Sequence, residues 1–318
     1  MKVLKIVSSV LTLAVMTIAV ISAVRYQDIS DWWQLRGYMP SERISQLAQR
    51  TSMTKKAQTI FYVHDPQIEE KEAFNSDCTI GETSIVLGCY DGRGIYVFDV
   101  ADPRLDGIQE VTAAHEMLHA AYDRLPEKEK ARVDTLTARA VQKVSSERLQ
   151  NLIKSYTTRS PSSVPNELHS IVGTEIPNLS PELETYYAQY FTDRMGVVKL
   201  SQKYEQVFTD IKAQVDRLDA ELSLIQAQIT DQETSLKYQN DVLKAKKRSL
   251  ESLLNSQSTA AYNAAVGPYN ASVNDYNESI VEYKNLIADY NEKVLTRNSL
   301  SVEQNDLVKA INSKAESL

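Results

Sequence analysis

Residues 111–125 read VTAAHEMLHAAYDRL. Apolar residues recur three and four apart through the stretch, the period of a helix with a buried face. Its start is expected near Leu105–Gly107, and Pro126 closes it. His115 and His119 then stand one turn apart on one face, with Glu116 beside them. Two imidazoles at that spacing can share one Zn²⁺. The Glu116 carboxylate can then accept a proton from a zinc-activated water during attack on a carbonyl.

Working outward toward the N-terminus, SIVLGCY (84–90) and GIYVFDV (94–100) flank Asp91-Gly92-Arg93. Two β-rich runs around a short glycine-containing turn predict a hairpin. AQTIFYVHD (57–65) reads as a further strand, and 67–75 as a short helix or loop. SERISQLAQRTS (41–52) reads as a short helix capped by Ser41. About three strands are thus expected before the histidine helix. Toward the C-terminus, residues 127–157 are expected to continue as helix, with Leu136, Ala140, Val144 and Leu149 in the core. A Ser/Pro-rich loop at Ser160–Pro165 leads to helices starting at PNELHSIVG and PELETYYAQYF. The globular part is expected to end near Leu200.

His-Glu-Met-Leu-His at 115–119, on a helix that follows an apolar strand, resembles the zincin metallopeptidases. In that family an edge strand beside the active-site helix aligns the substrate backbone, a role the resemblance gives to GIYVFDV. A third ligand is needed to leave one position open. Tyr122 and Leu125 stand where the longer metzincin-like motif has its glycine and third histidine, so the ligand must come from elsewhere. Asn166-Glu167-Leu168-His169-Ser170 looks like the glutamate-bearing second helix of gluzincins, which implies Glu167 as ligand. Glu175, two helical turns on, is the rival, with Glu182 and Glu184 behind it. Ile171 replaces the aspartate of thermolysin-like enzymes, so a partner for a histidine ligand is sought in Asp123, Glu110 or Glu175. His169 and Tyr187, with Tyr186 and Tyr190, are candidates for stabilising an oxyanion. His64 reads as structural.

Lys2 and Lys5 precede an uncharged run, Ile6–Val24, closed by Arg25. At about 1.5 Å per residue it spans roughly 28 Å, near the thickness of a hydrocarbon core. The placement of the basic residues predicts a single-pass cell-membrane anchor with the rest of the chain extracytoplasmic. A cleaved signal peptide is the rival. Trp32 and Trp33 read as interfacial anchors or as a cap on the folded part. Cys78 and Cys89, the only cysteines, read as a disulfide in that setting. The net charge of −7 and the lack of any basic block argue against a nucleic-acid binder.

From Tyr204 to Leu253, residues such as Val207, Ile211, Leu218, Leu222, Ile225, Ile229 and Leu236 form a heptad seam. After NSQSTAA (255–261) a second seam follows, with Tyr262, Tyr269, Tyr276, Tyr283 and Tyr290 seven apart and Val266, Val273, Ile280, Ile287 and Val294 between them. Two arms around one weak point predict an antiparallel coiled-coil hairpin turning at 255–261 or at Gly267-Pro268. A parallel dimer is the alternative. The tyrosine hydroxyls predict a partly wet seam, or an aromatic face kept open for a partner.

The expected fold class is α+β: an anchor at 1–25, a juxtamembrane segment at 26–40, a small zincin-like domain at 41–200 and a coiled-coil hairpin at 201–318. The expected function is zinc-dependent hydrolysis of peptide bonds in a peptide or protein substrate. The alternative is a cell-envelope scaffold in which the coiled coil binds a partner or itself and the zincin part is not catalytic.

Overall fold

The computed structural model describes residues 26–78 and 87–314. Helix α1 is Tyr26–Gln34 and α2 is Glu42–Arg50, whose Ser41 cap accepts a hydrogen bond from the Ile44 amide. Trp32 and Trp33 lie exposed on α1, with the Arg36 guanidinium over both rings. Helix α3, Lys55–Val63, occupies the run expected as a strand. Thr54 caps it, and Ala57, Ile60 and Phe61 are its buried face. Those three positions have helical spacing, and the continuous apolar run hides it.

The third strand comes instead from β1, Gln67–Glu69, in the stretch expected as helix or loop. Helix α4 (Lys71–Asp77) follows, then β2 (Gly88–Tyr90) and β3 (Ile95–Phe98). The strand order is β1-β3-β2, with β1 parallel and β2 antiparallel to β3. GIYVFDV is therefore the central strand, and the edge toward the histidine helix belongs to β2. Cys78, at the end of α4, is bonded to Cys89 of β2.

A 3₁₀ turn at Pro103–Leu105 leads into α5, Ile108–Asp123, the histidine helix. It is buried nearly all round: Ala113, Ala114, Met117 and Leu118 are inaccessible, in one core with Ile95 and Val97 of β3. Residues 127–157 are two helices, not one: α6 (Glu127–Val141) and α7 (Glu147–Arg159). Ser146 breaks the run by capping α7, its side chain accepting from the Leu149 amide. Helix α8, Val164–Glu175, packs on α5. A Cβ on Gly173 would come within 2.4 Å of Leu118 Cδ1, so glycine lets these two helices approach. Helix α9 is Pro181–Tyr187, and α10, Arg194–Asn255, begins at a buried arginine. Arg194 donates to the carbonyls of Ile176 and Pro177, satisfying the end of α8.

The chain divides into two compact units. One holds the described residues up to Val207 together with those from Lys309 onward, and the other is Phe208–Val308. In the second, α10 and α11 (Thr259–Ile311) form a helical hairpin. Lys246 bonds Ser272, Gln239 bonds Ser279, Glu233 accepts from Tyr283, Glu221 pairs with Lys293 and Asp219 with Arg297. As one number falls the other rises, so the arms are antiparallel. The turn lies at 256–258, where Gln257 adopts φ +56°, and Pro268 sits inside α11. The tyrosine ladder is half-buried, and the Tyr283 hydroxyl finds Glu233 at 2.6 Å.

The fold is mostly helical, with a small three-stranded sheet and a long helical hairpin, an arrangement compatible with α+β. The membrane expectation is corrected. Among the described residues no helix is long and apolar enough to cross a membrane. α10 and α11 have the length but are too polar, α10 through charges along its length and α11 through charges and recurring asparagines, and α5 has too few residues. The Ile6–Val24 run lies outside the described residues. The single-pass anchor, and the extracytoplasmic placement built on it, are therefore withdrawn.

Candidate metal centre

Helix α5 sets His115 and His119 one turn apart, with ring centroids 4.8 Å from each other. One ligand atom from each of His115, Glu116 and His119 lies within 4.8 Å of the other two. Helix α8 brings a further carboxylate: Glu167 Oε2 is 3.6 Å from His115 Nε2 and 3.7 Å from His119 Nε2. Two ligands each about 2.1 Å from a tetrahedral ion stand roughly 3.4 Å apart, so this spacing fits a shared ion. Glu167 Oε2 is also buried and has no hydrogen-bond partner among the described residues. A buried carboxylate oxygen without a donor is costly unless a cation satisfies it.

The other acidic candidates are engaged elsewhere. Glu175 is paired with Arg148, and Glu110 with Arg50. Asn166, which no motif singles out, supports His119. The His119 Nδ1–H donates to Asn166 Oδ1 at 2.9 Å, because an amide oxygen can only accept. That tautomer leaves Nε2 with a lone pair toward Glu167. Asn166 Nδ2 in turn stands 3.5 Å from Asp123 Oδ1, so Asp123 acts through the amide. The only signal in the sequence was that Asn166 adjoins Glu167.

The electrostatics suit a cation. Burial pushes the His115 imidazole down, but Glu167 and Glu116 beside it outweigh this and hold its pKa up at about 9. The charge that would hold a proton there can equally hold a metal ion. Burial and the neighbouring His115 push His119 down to about 4, so it stays neutral. Burial alone would raise the Glu167 pKa. The two histidines and the Tyr156 hydroxyl reverse that and keep it below the usual glutamate value.

A cavity of about 370 Å³ opens beside this group. Glu116, only 6% exposed, lines it, as do Gly88, Cys89 and Tyr90 of β2 and Tyr156 of α7. A Cβ on Gly88 would lie 2.4 Å from Thr112 Cγ2 and 3.0 Å from Glu116 Cγ and Oε1. Glycine thus lets the β2 edge press against the carboxylate. The proposed oxyanion stabilisers are not here. His169 and Tyr187 are fully inaccessible, and neither lines the cavity. His169 Nε2 meets the Tyr186 hydroxyl at 2.8 Å, and the Tyr187 hydroxyl donates to the His169 carbonyl at 2.7 Å. Burial pushes His169 down to about 3, so it is a neutral core residue. Tyr90 and Tyr156 are the tyrosines that line the cavity among the described residues, and Tyr156 sits in no motif. His64 has a structural place, Nδ1 bonding the Arg93 carbonyl at 3.1 Å.

No family model, curated protein or solved structure matches the chain.

Proposed function

We propose that the chain is a zinc-dependent peptide hydrolase of the gluzincin-like zincin kind. His115, His119 and Glu167 would hold the ion, with Asn166 fixing the His119 tautomer. The bound ion supplies Lewis acidity, polarising a carbonyl and making water more acidic. Glu116 accepts the proton of the attacking water and delivers it to the departing amine. The β2 edge beside Glu116 offers backbone groups against which an extended peptide can lie. The observation that carries this reading is the convergence of the three ligand atoms beside the cavity, with Glu167 Oε2 buried and without a hydrogen-bond partner among the described residues.

Glu116→Gln tests it. The variant keeps the shape of the side chain and loses the base. Cleavage of quenched peptides is expected to fall roughly a hundred- to ten-thousand-fold with zinc content unchanged. Cleavage at the wild-type rate would end the enzymatic reading. It would favour the scaffold, in which the hairpin is the working part.

A further inference from the structure

His115, His119 and Asp123 are four apart along α5 and so form one stripe facing the cavity that they all line. Asp123 stands one turn, about 6 Å of rise, beyond His119. Among the described residues, the charged side chains lining this cavity, apart from the histidines, are four carboxylates: Asp91, Glu116, Asp123 and Glu167. No lysine or arginine among the described residues lines it. The two charges of a divalent ion would offset Glu116 and Glu167, which leaves Asp91 and Asp123.

These two differ. Asp91 is absorbed by its turn, Oδ1 accepting from the amides of Arg93 at 2.8 Å and Gly94 at 2.7 Å, with the Arg93 charge beside it. Among the described residues, Asp123 accepts a hydrogen bond from the neutral amide of Asn166, at 3.5 Å. The adjacent Arg124 turns away, bonding Asp31 at 2.7 Å and His64 Nε2 at 3.3 Å. Burial holds His64 below its ordinary pKa and so neutral. Tyr90, at the end of β2, also lines the cavity and feels the Asp123 charge, partly offset by that of Arg124. The wall beyond the metal centre thus presents an aromatic face next to an exposed carboxylate whose hydrogen bond is to a neutral amide. That pairing suits a long aliphatic stem ending in a cation.

Resting on the peptidase reading, we propose that Asp123 is the specificity-determining residue of this cavity and selects peptides with a lysine or arginine side chain close to the scissile bond. An anionic side chain there would meet like charge and be rejected.

The test uses the full chain loaded with zinc. A quenched-peptide library locates the cleaved position. Matched peptides with lysine, norleucine or glutamate next to the cut are then compared by kcat/KM. Wild type is expected to favour lysine over glutamate by at least about tenfold. Asp123→Asn, which retains an amide contact to Asn166, should bring lysine down toward norleucine. Asp123→Lys should reverse the order. The ratio is the readout, since Asp123 also supports Asn166 and absolute rates will shift in any variant. If Asp123→Lys does not fold, the Asp123→Asn ratio decides. An unchanged lysine-to-glutamate ratio in a variant that still cuts would overturn the inference and leave the peptidase standing. Zinc-loaded wild type that cuts no library peptide would remove the peptidase reading, and the inference with it.

Discussion

Asn166 shows how much a single uncharged side chain can settle. Its oxygen fixes which His119 nitrogen carries the proton, and its nitrogen reaches Asp123. Removing such an outer partner weakens metal binding without removing a ligand. Asn166→Ala is expected to lower zinc affinity about 10–100-fold by competition titration, and an unchanged affinity would show that packing alone orients the ring. A second residue makes a pH prediction away from the metal centre. Burial, and then Asp77 beside it, raise the Glu69 carboxyl to about 7 from its ordinary 4.5. The folded chain therefore holds a proton there that the unfolded chain releases, between about pH 4.5 and 7. In that window stability falls as pH rises, and above it the penalty is complete. Glu69→Gln is expected to raise the melting temperature at pH 8, with the gain shrinking by pH 5. An equal shift at both values would remove the titration as its cause.

At the scale of elements, the close fit of β2 on α5 carries the consequence. An added methyl at Gly88 must displace Thr112 or Glu116. Gly88→Ala is expected to cost about 1–3 kcal/mol of stability and to lower peptide cleavage while zinc stays bound. Full activity would mean that the strand edge can move without consequence for the base. Legibility varied among elements for physical reasons. The α5 motif and the α10–α11 seam could be read because their periods are local, fixed by residues within a turn or two of each other. Residues 55–63 form α3 where a strand is expected, because an apolar run suits a strand and a buried helix alike. β1, three residues long, owes its conformation to pairing with β3, which no local pattern announces. The break between α6 and α7 has a signal in Ser146, whose capping role is hidden by the good helix formers around it.

For the whole molecule, what remained hidden was how distant segments meet. Glu167 and Glu175 could not be separated by spacing, because the choice depends on how α8 lies across α5. The close approach at Gly173 sets that packing, and it turns Glu167 toward the histidines and Glu175 toward Arg148. The oxyanion candidates failed for the same reason: His169 and Tyr187 share α8 and α9 with useful neighbours but point into the core. The Phe208–Val308 unit contributes none of the residues gathered at the metal centre, so its hairpin can be studied as a separate question. The central claim is that two helices assemble one zinc site from His115, His119 and Glu167. The direct measurement is zinc per chain in wild type, His119→Ala, Glu167→Ala and Glu175→Ala, after loading and desalting. About one ion in wild type and Glu175→Ala, lost in the other two, is the result expected. Zinc retained by Glu167→Ala but lost by Glu175→Ala, or no zinc in wild type, would contradict it.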